Sequence, residues 1–127
     1  MELIKQRSAR DCAVCVAAML TGTLYESVLA DNPDYETQTD QMWINYVQSL
    51  GFRVRRTRLI LPGHRYFCFL LSESDGNPKD SHAIAIDERK HVFDPSTGAP
   101  DPGVLTVEWY STAPRELRYV HSVDPKE

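Results

Sequence analysis

The residue of this sequence whose position best suits chemistry is Cys12, which opens an apolar stretch that runs to Leu20. A cysteine at the start of a helix lies beside unsatisfied backbone amides and the positive end of the helix dipole, and both favour the thiolate. A small buried hydrophobic residue would suit the same position equally well. Whether Cys12 is a nucleophile or a core residue therefore has to be inferred from the other residues of the sequence.

Several features of the sequence accompany Cys12. Gln6 stands six residues before it, and Asp11 directly precedes it. Far downstream, a histidine opens the alternating segment His82–Ile86, and an aspartate ends the next apolar segment in Asp94-Pro95. Together with an alanine-rich helix that has a methionine near its end, this arrangement resembles papain-like cysteine peptidases. More narrowly, it is similar to the bacteriocin-processing family, the double-glycine leader peptidases attached to ABC exporters.

The resemblance implies a cysteine peptidase-like hydrolase that cleaves a peptide or related acyl bond. Cys12 is the expected nucleophile, and His82 is the expected general base, which holds the thiol proton as an imidazolium. Asp94 is expected to accept a hydrogen bond from the other ring nitrogen, which fixes the tautomer and orientation of the imidazole. The side-chain amide of Gln6, with the Cys12 backbone N–H, is expected to donate to the oxygen that becomes negative when the thiolate attacks an acyl carbon.

The sequence departs from the family pattern in two places. The residue after Cys12 is Ala13, where the family usually has glycine, and no transporter segments follow. We therefore expect a free-standing domain of phage or bacterial origin that acts on a peptide or protein substrate. The sequence does not indicate which substrate.

Two other functions fit parts of the same sequence. Cys12 and Cys15 form a Cys-x-x-Cys at a helix start, which is the geometry of thiol–disulfide exchange. That motif normally follows a buried strand of a βαβ unit, and only about ten residues precede Cys12 here. The scaffold could also be a binding module in which the catalytic residues are idle, with contacts supplied by Arg53–Arg58, Trp109 and Tyr110.

The histidine and the aspartate also have rivals in the sequence. The other histidines are His64, His91 and His121, and the other candidate orienting acids are Asp80 and Asp87. His64 lies in a proline-glycine loop, which favours a surface position. His91 is only three residues before Asp94, too close to be oriented by it in the required manner.

The elements that must position these residues follow from capping signals and hydrophobic periodicity. Helices are predicted from Cys12 to Leu20 with Asp11 as N-cap and Gly22 as terminator, from a Thr23–Glu26 capping box to about Ala30, and from Thr39 or Asp40 to a C-cap at Gly51. Strands are predicted near 52–61, 66–71, 81–87, 91–94 and 117–123, with loops over 31–38, 75–78 and 95–103. Helices followed by an antiparallel sheet predict an α+β fold, and the resemblance implies a papain-like one whose central helix begins at Cys12.

Composition limits the remaining choices. The 127 residues suit one domain, 1–127, and 42% hydrophobic with 25% charged residues is typical of a soluble globular protein. A net charge of −4 gives no reason to expect nucleic acid as a ligand, and the arginines at 53, 55, 56 and 58 are interpreted as a solvated strand face. The charged N-terminus and the short apolar runs predict a cytoplasmic protein without a signal peptide or membrane span. Three cysteines argue against a disulfide framework, and neither a metal nor another cofactor is expected.

Overall fold

The computed structural model describes residues 1–8, 10–72, 82–96 and 115–125. In this part of the chain the helical elements come first: α1 is Cys12–Thr21, α2 is Tyr25–Asp31, a 3-10 helix is Tyr35–Thr37 and α3 is Asp40–Ser49. The strands follow: β1 is Phe52–Thr57, β2 is Arg65–Ser72, β3 is His82–Ile86, β4 is Val92–Phe93 and β5 is Arg115–Pro125. The α+β order predicted from the sequence is confirmed.

Helix α1 is buried on nearly every side, because its residues from Val14 to Leu20 are apolar and each is at most 4% exposed. It ends at Gly22, whose φ of 68° lies in the left-handed region that glycine tolerates. At the other end the Asp11 carbonyl accepts the Cys15 N–H at 3.1 Å, so Asp11 is the N-cap by its backbone. Its carboxylate makes no capping bond to the helix and serves the preceding loop instead.

The capping box predicted for the second helix is wrong. The N-cap of α2 is Leu24, which has no side-chain acceptor, and the Thr23 hydroxyl is bonded to the Thr21 hydroxyl at 2.8 Å. The prediction for α3 is confirmed at its start, where the Thr39 hydroxyl accepts the Met42 N–H at 3.2 Å. The C-cap of α3 is Leu50, one residue earlier than predicted, and Gly51 follows it with a φ of 96°.

The strands form one antiparallel sheet in the order β1-β5-β2-β3-β4. The predicted extension of the first strand through 59–61 is wrong, because the Thr57 hydroxyl bonds both the N–H and the carbonyl of Leu59 and ends the strand there. Leu59 and Leu61 are consequently 65% and 52% exposed. The predicted turn at 75–78 and most of the predicted loop at 95–103 lie outside the described residues.

The two faces of the sheet carry different side chains. Along β3, Ala83 and Ala85 belong to the core cluster that contains the buried residues of α1, while Ile84 and Ile86 belong to a second cluster with Tyr66, Cys68, Val92 and Val120. The alanines have little bulk, so α1 packs closely on β3. This packing brings the start of α1, at Cys12, toward the start of β3, at His82.

Strand β1 lies at one edge of the sheet, and the four arginines at 53, 55, 56 and 58 are exposed there. Charged side chains on an edge strand discourage pairing with other chains, which fits the predicted solvated face. Within the described residues no single helix is long and apolar enough to cross a membrane. Only α1 and α2 taken together, at an angle of 118°, have the length and composition of a span.

Candidate active site

The centre of the site is a buried ion pair between His82 and Asp94. The register of β3 with β4 pairs Ala85 with Phe93, so Asp94, just past β4, reaches the start of β3. The His82 Nε2–H donates to Asp94 Oδ1 at 2.6 Å, and the two residues are 8% and 3% exposed. Two residues that the sequence placed on separate strands are thus in direct contact.

Ser96 holds the Asp94 carboxylate in this position. Its backbone N–H donates to Asp94 Oδ1 at 2.9 Å and its hydroxyl donates to the same oxygen at 2.7 Å. Sequence reasoning did not identify Ser96, although an aspartate followed two residues later by a serine is the pattern of an Asx turn. The orienting acid is therefore itself oriented by the turn that follows it.

The charge on His82 results from opposing effects. Burial lowers the pKa of the imidazole, but hydrogen bonds to Asp94 and Cys12, together with the negative charges of these two groups, outweigh it and raise the pKa to about 9. His82 is therefore protonated at neutral pH while Cys12 is its neighbour. Since Nε2 faces Asp94, Nδ1 is the ring nitrogen left for the sulfur.

Cys12 is half-buried at the first position of α1. The first intrahelical bond runs from the Cys15 N–H to the Asp11 carbonyl, so the Cys12 N–H is one of the amides that a helix leaves without an intrahelical partner. The sulfur thus lies beside both a cationic ring and the positive end of a helix dipole.

Gln6 is tied to the same site through its backbone. Its N–H donates to the Pro95 carbonyl at 3.0 Å, directly after Asp94. The side-chain Nε2 donates one hydrogen to the Ser8 carbonyl at 3.0 Å, which leaves its second hydrogen for another acceptor. The buried Oε1 has no hydrogen-bond partner among the described residues. Gln6 is therefore fixed relative to Asp94, and its amide has one donor to spare.

Asp11 has a larger part in the site than the sequence indicated. It is 0% exposed, and its carboxylate accepts the Arg7 N–H at 2.9 Å, the Ser8 N–H at 3.2 Å and the Tyr25 hydroxyl at 2.7 Å. Burial raises the pKa of this carboxyl, but these hydrogen bonds outweigh burial and lower it overall, so Asp11 is ionised at neutral pH. The carboxylate links the loop after Gln6 to the start of α1.

The rival histidines and acids have other partners. His64 bonds Asp124 at 2.9 Å on the surface, and His121 packs edge-on against Phe69 at a ring distance of 5.9 Å. Asp87 accepts the N–H groups of Arg89 and His91 and closes the turn between β3 and β4. Asp80 lies outside the described residues.

The other cysteines are poorly placed for thiol chemistry. Cys15 is 0% exposed, and burial, with the nearby charges of Asp11 and Cys12, raises its pKa to about 12. Burial likewise raises the pKa of Cys68. Cys15 is therefore protonated at neutral pH, and Cys12 is the more accessible sulfur of the Cys-x-x-Cys pair.

Among the residues that the structure describes, no three His, Cys, Asp or Glu side chains are grouped so that they could hold a metal ion. Among the described residues, His82, Asp94 and Ser96 are hydrogen-bonded to one another, whereas the buried Gln6 Oε1 has no partner. The arrangement of Cys12, His82 and Asp94 suits acid–base and nucleophilic chemistry.

Comparisons with known proteins give a likeness of fold. Neither the known protein families nor the curated protein sequences contain a match to this chain. Among solved structures, the chain is similar to a double glycine motif protease from an AMS/PCAT transporter, whose crystal structure was determined in complex with the leader peptide. The two are 14% identical, the alignment covers 98% of this chain and 91% of the other, and the TM-score is 0.65. Nearly the whole chain therefore shares the fold of a peptidase domain.

Proposed function

We propose that this protein is a cysteine peptidase-like hydrolase, with Cys12 as nucleophile, His82 as acid–base, Asp94 as orienting acid and Gln6 as oxyanion donor. The observation that carries the proposal is the buried His82–Asp94 pair beside a cysteine at a helix start. A solvent-shielded imidazolium next to a cysteine has no evident use in packing alone, since burying charge is costly. It suits a thiolate that must stay reactive near neutral pH.

The reaction follows from the positions of these groups. The Cys12 sulfur attacks the acyl carbon, and a C–S bond forms while negative charge develops on the carbonyl oxygen. The second side-chain N–H of Gln6 and the backbone N–H of Cys12 can donate to that oxygen. His82 gives its proton to the leaving group as the scissile bond breaks. Water, deprotonated by His82, then releases the acyl group. Because the proton donor has a pKa of about 9, turnover should decline as the pH rises through that value.

A peptide is the proposed substrate class. One solved structure with a similar fold is a double glycine motif protease crystallised with a leader peptide. For this chain a peptide containing a Gly-Gly pair is thus the first substrate to try. The reaction itself, transfer of an acyl group from the leaving-group nitrogen or oxygen to the Cys12 sulfur, depends only on the site residues and does not require that sequence.

Acylation by p-nitrophenyl acetate tests the reaction class without a known substrate. The wild type should release p-nitrophenolate and carry an acetyl group on Cys12, detected by mass spectrometry of the digest. Cys12→Ser should abolish the modification, and Cys15→Ser should preserve it, since a disulfide exchange mechanism needs both sulfurs and a hydrolase needs only one.

Two results would overturn the proposal. Acylation that is no faster than that of a free thiol would leave the fold as a binding scaffold with idle residues. Loss of acylation in Cys15→Ser, in a variant that unfolds at the wild-type temperature, would show that Cys12 does not act as the nucleophile without Cys15.

A further inference from the structure

The segment that carries Gln6 is held at two points. At the first point, the Gln6 N–H donates to the Pro95 carbonyl, next to the orienting acid. At the second point, the N–H groups of Arg7 and Ser8 donate to the Asp11 carboxylate, next to the nucleophile. The segment thus bridges the two sides of the site, and Gln6, the first attachment, directly precedes the second.

A purely structural purpose does not explain why a charged residue is buried at position 11. A buried carboxylate is stabilised only when hydrogen-bond donors surround it. The side chain of an ordinary N-cap residue needs only to accept a backbone N–H of the first helical turn, and the Asp11 side chain makes no such bond. Its two oxygens instead accept two amides of one loop and the hydroxyl of Tyr25 on α2. No neutral side chain of this size accepts three such bonds.

We propose that Asp11 is a positioning residue that holds the loop after Gln6 against the start of α1, so that the Gln6 amide can serve the acyl oxygen at Cys12. This inference rests on the proposed hydrolase function. Asp11 touches neither the substrate nor the reacting atoms, and its effect on acyl transfer passes through Gln6. Burial, with a further contribution from the charge of Asp11, raises the pKa of Cys15 and leaves Cys12 as the reactive sulfur.

Two measurements separate this role from a general loosening of α1. Acylation by p-nitrophenyl acetate needs the oxyanion donors, because negative charge develops on the carbonyl oxygen. Alkylation by iodoacetamide needs only the thiolate, because displacement of iodide creates no oxyanion. A variant that misplaces Gln6 alone should therefore lose the first reaction and keep the second.

The experiment uses Asp11→Asn, Gln6→Ala and the double variant, with Glu26→Gln as matched control. Glu26 is an exposed carboxylate that forms an ion pair with Arg7 of the same loop, so Glu26→Gln makes the same carboxylate-to-amide change without altering the Asp11 carboxylate. We expect Asp11→Asn and Gln6→Ala each to slow acylation by about 100-fold, the cost of one lost or misplaced oxyanion donor. Alkylation of Cys12 should stay within about 3-fold of wild type, the double variant should be no slower than Gln6→Ala by more than about 3-fold, and Glu26→Gln should match wild type.

Three results would overturn the role of Asp11 while leaving the hydrolase in place: unchanged acylation in Asp11→Asn, a parallel loss of acylation and alkylation, or losses that multiply in the double variant. If Asp11→Asn does not fold, Asp11→Ser takes its place, because serine caps a helix well yet cannot reach both loop amides. Absence of Cys12-dependent acylation in the wild type would instead contradict the hydrolase function itself, and the role of Asp11 with it.

Discussion

At the scale of single residues, His82 determines whether the site can work. Burial alone would leave this imidazole neutral, and only the hydrogen bonds and charges of Asp94 and Cys12 reverse that tendency. Asp94 can do this because Ser96 holds the same carboxylate oxygen with two further donors. The reactivity of the sulfur is thus set by a chain of contacts that ends in an ordinary turn.

Asp94→Asn should weaken the dependence of stability on the protonation of His82, because Cys12 remains as the other group that raises the pKa of the imidazole. The imidazole binds its proton with a pKa of about 9 in the folded protein and near 6.5 when unfolded. The stabilisation from this proton is fully present below pH 6.5 and is lost as the pH rises to 9, at a limiting slope of about 1.4 kcal/mol per pH unit.

Urea unfolding from pH 6 to pH 9.5 measures this effect. The free energy of unfolding of the wild type should fall across that window relative to Asp94→Asn, in which the other titrating groups are unchanged. Parallel curves for the two proteins would show that Asp94 does not hold the proton on His82.

Only part of this site could be predicted residue by residue. Cys12, His82 and Asp94 have sequence neighbours that mark a helix start, a strand start and a strand end, so their places in the fold could be predicted, whereas their proposed roles came from the resemblance to a peptidase family. The contact of Asp11 with Tyr25 could not, because it depends on where α2 packs relative to α1. The position of Gln6 has the same origin, since Pro95 holds its backbone across the fold.

At the scale of elements, the packing of α1 on β3 sets the distance between Cys12, the proposed nucleophile, and His82, the proposed base. Ala83 and Ala85 face the helix and are nearly fully buried, whereas Ile84 on the opposite face belongs to the second core cluster. Small residues on one face of β3 thus keep Cys12 and His82 close. A larger residue there would act on the site without touching it.

Ala85→Leu should lower both stability and acylation. The added methylenes enter a fully buried position between the sheet and the helices, which costs about 1 to 3 kcal/mol and displaces α1 from β3. Ile84→Leu, next to it on the other face, conserves volume and should cost less than about 1.5 kcal/mol with the activity retained. Thermal unfolding and p-nitrophenolate release give the two quantities, and equal activity in both variants would contradict the role given to this packing.

Element prediction succeeded where one local signal was dominant. The apolar run of α1, its glycine terminator and the Thr39 cap of α3 each suffice to place a boundary. The prediction of a capping box at Thr23 failed because the Thr23 hydroxyl is bonded to the Thr21 hydroxyl and caps no helix. The leucines at 59 and 61 led to the prediction of a strand, but a hydrogen bond from the Thr57 hydroxyl to the Leu59 carbonyl ends the strand before them. In both cases a hydrogen bond between side chain and near neighbour decided the outcome.

At the scale of the whole molecule, the fold tolerates almost complete change of sequence. The chain shares its fold with a double glycine motif protease at 14% identity. Since one fold supports many functions, the proposed catalysis rests on the few residues around Cys12 and not on the similarity of fold. The central claim is therefore that Cys12 is an activated thiolate paired with His82.

The rate at which iodoacetamide alkylates Cys12 at pH 6.5 tests that claim most directly, with N-acetylcysteine as the reference thiol and buried Cys15 and Cys68 as internal controls. An ordinary thiol is about 1% ionised at this pH, so an ion-paired Cys12 should react at least about 10-fold faster even after allowance for the lower nucleophilicity of a stabilised thiolate. His82→Ala should remove the advantage. A Cys12 that reacts no faster than N-acetylcysteine, and whose rate is the same in His82→Ala, would contradict the account.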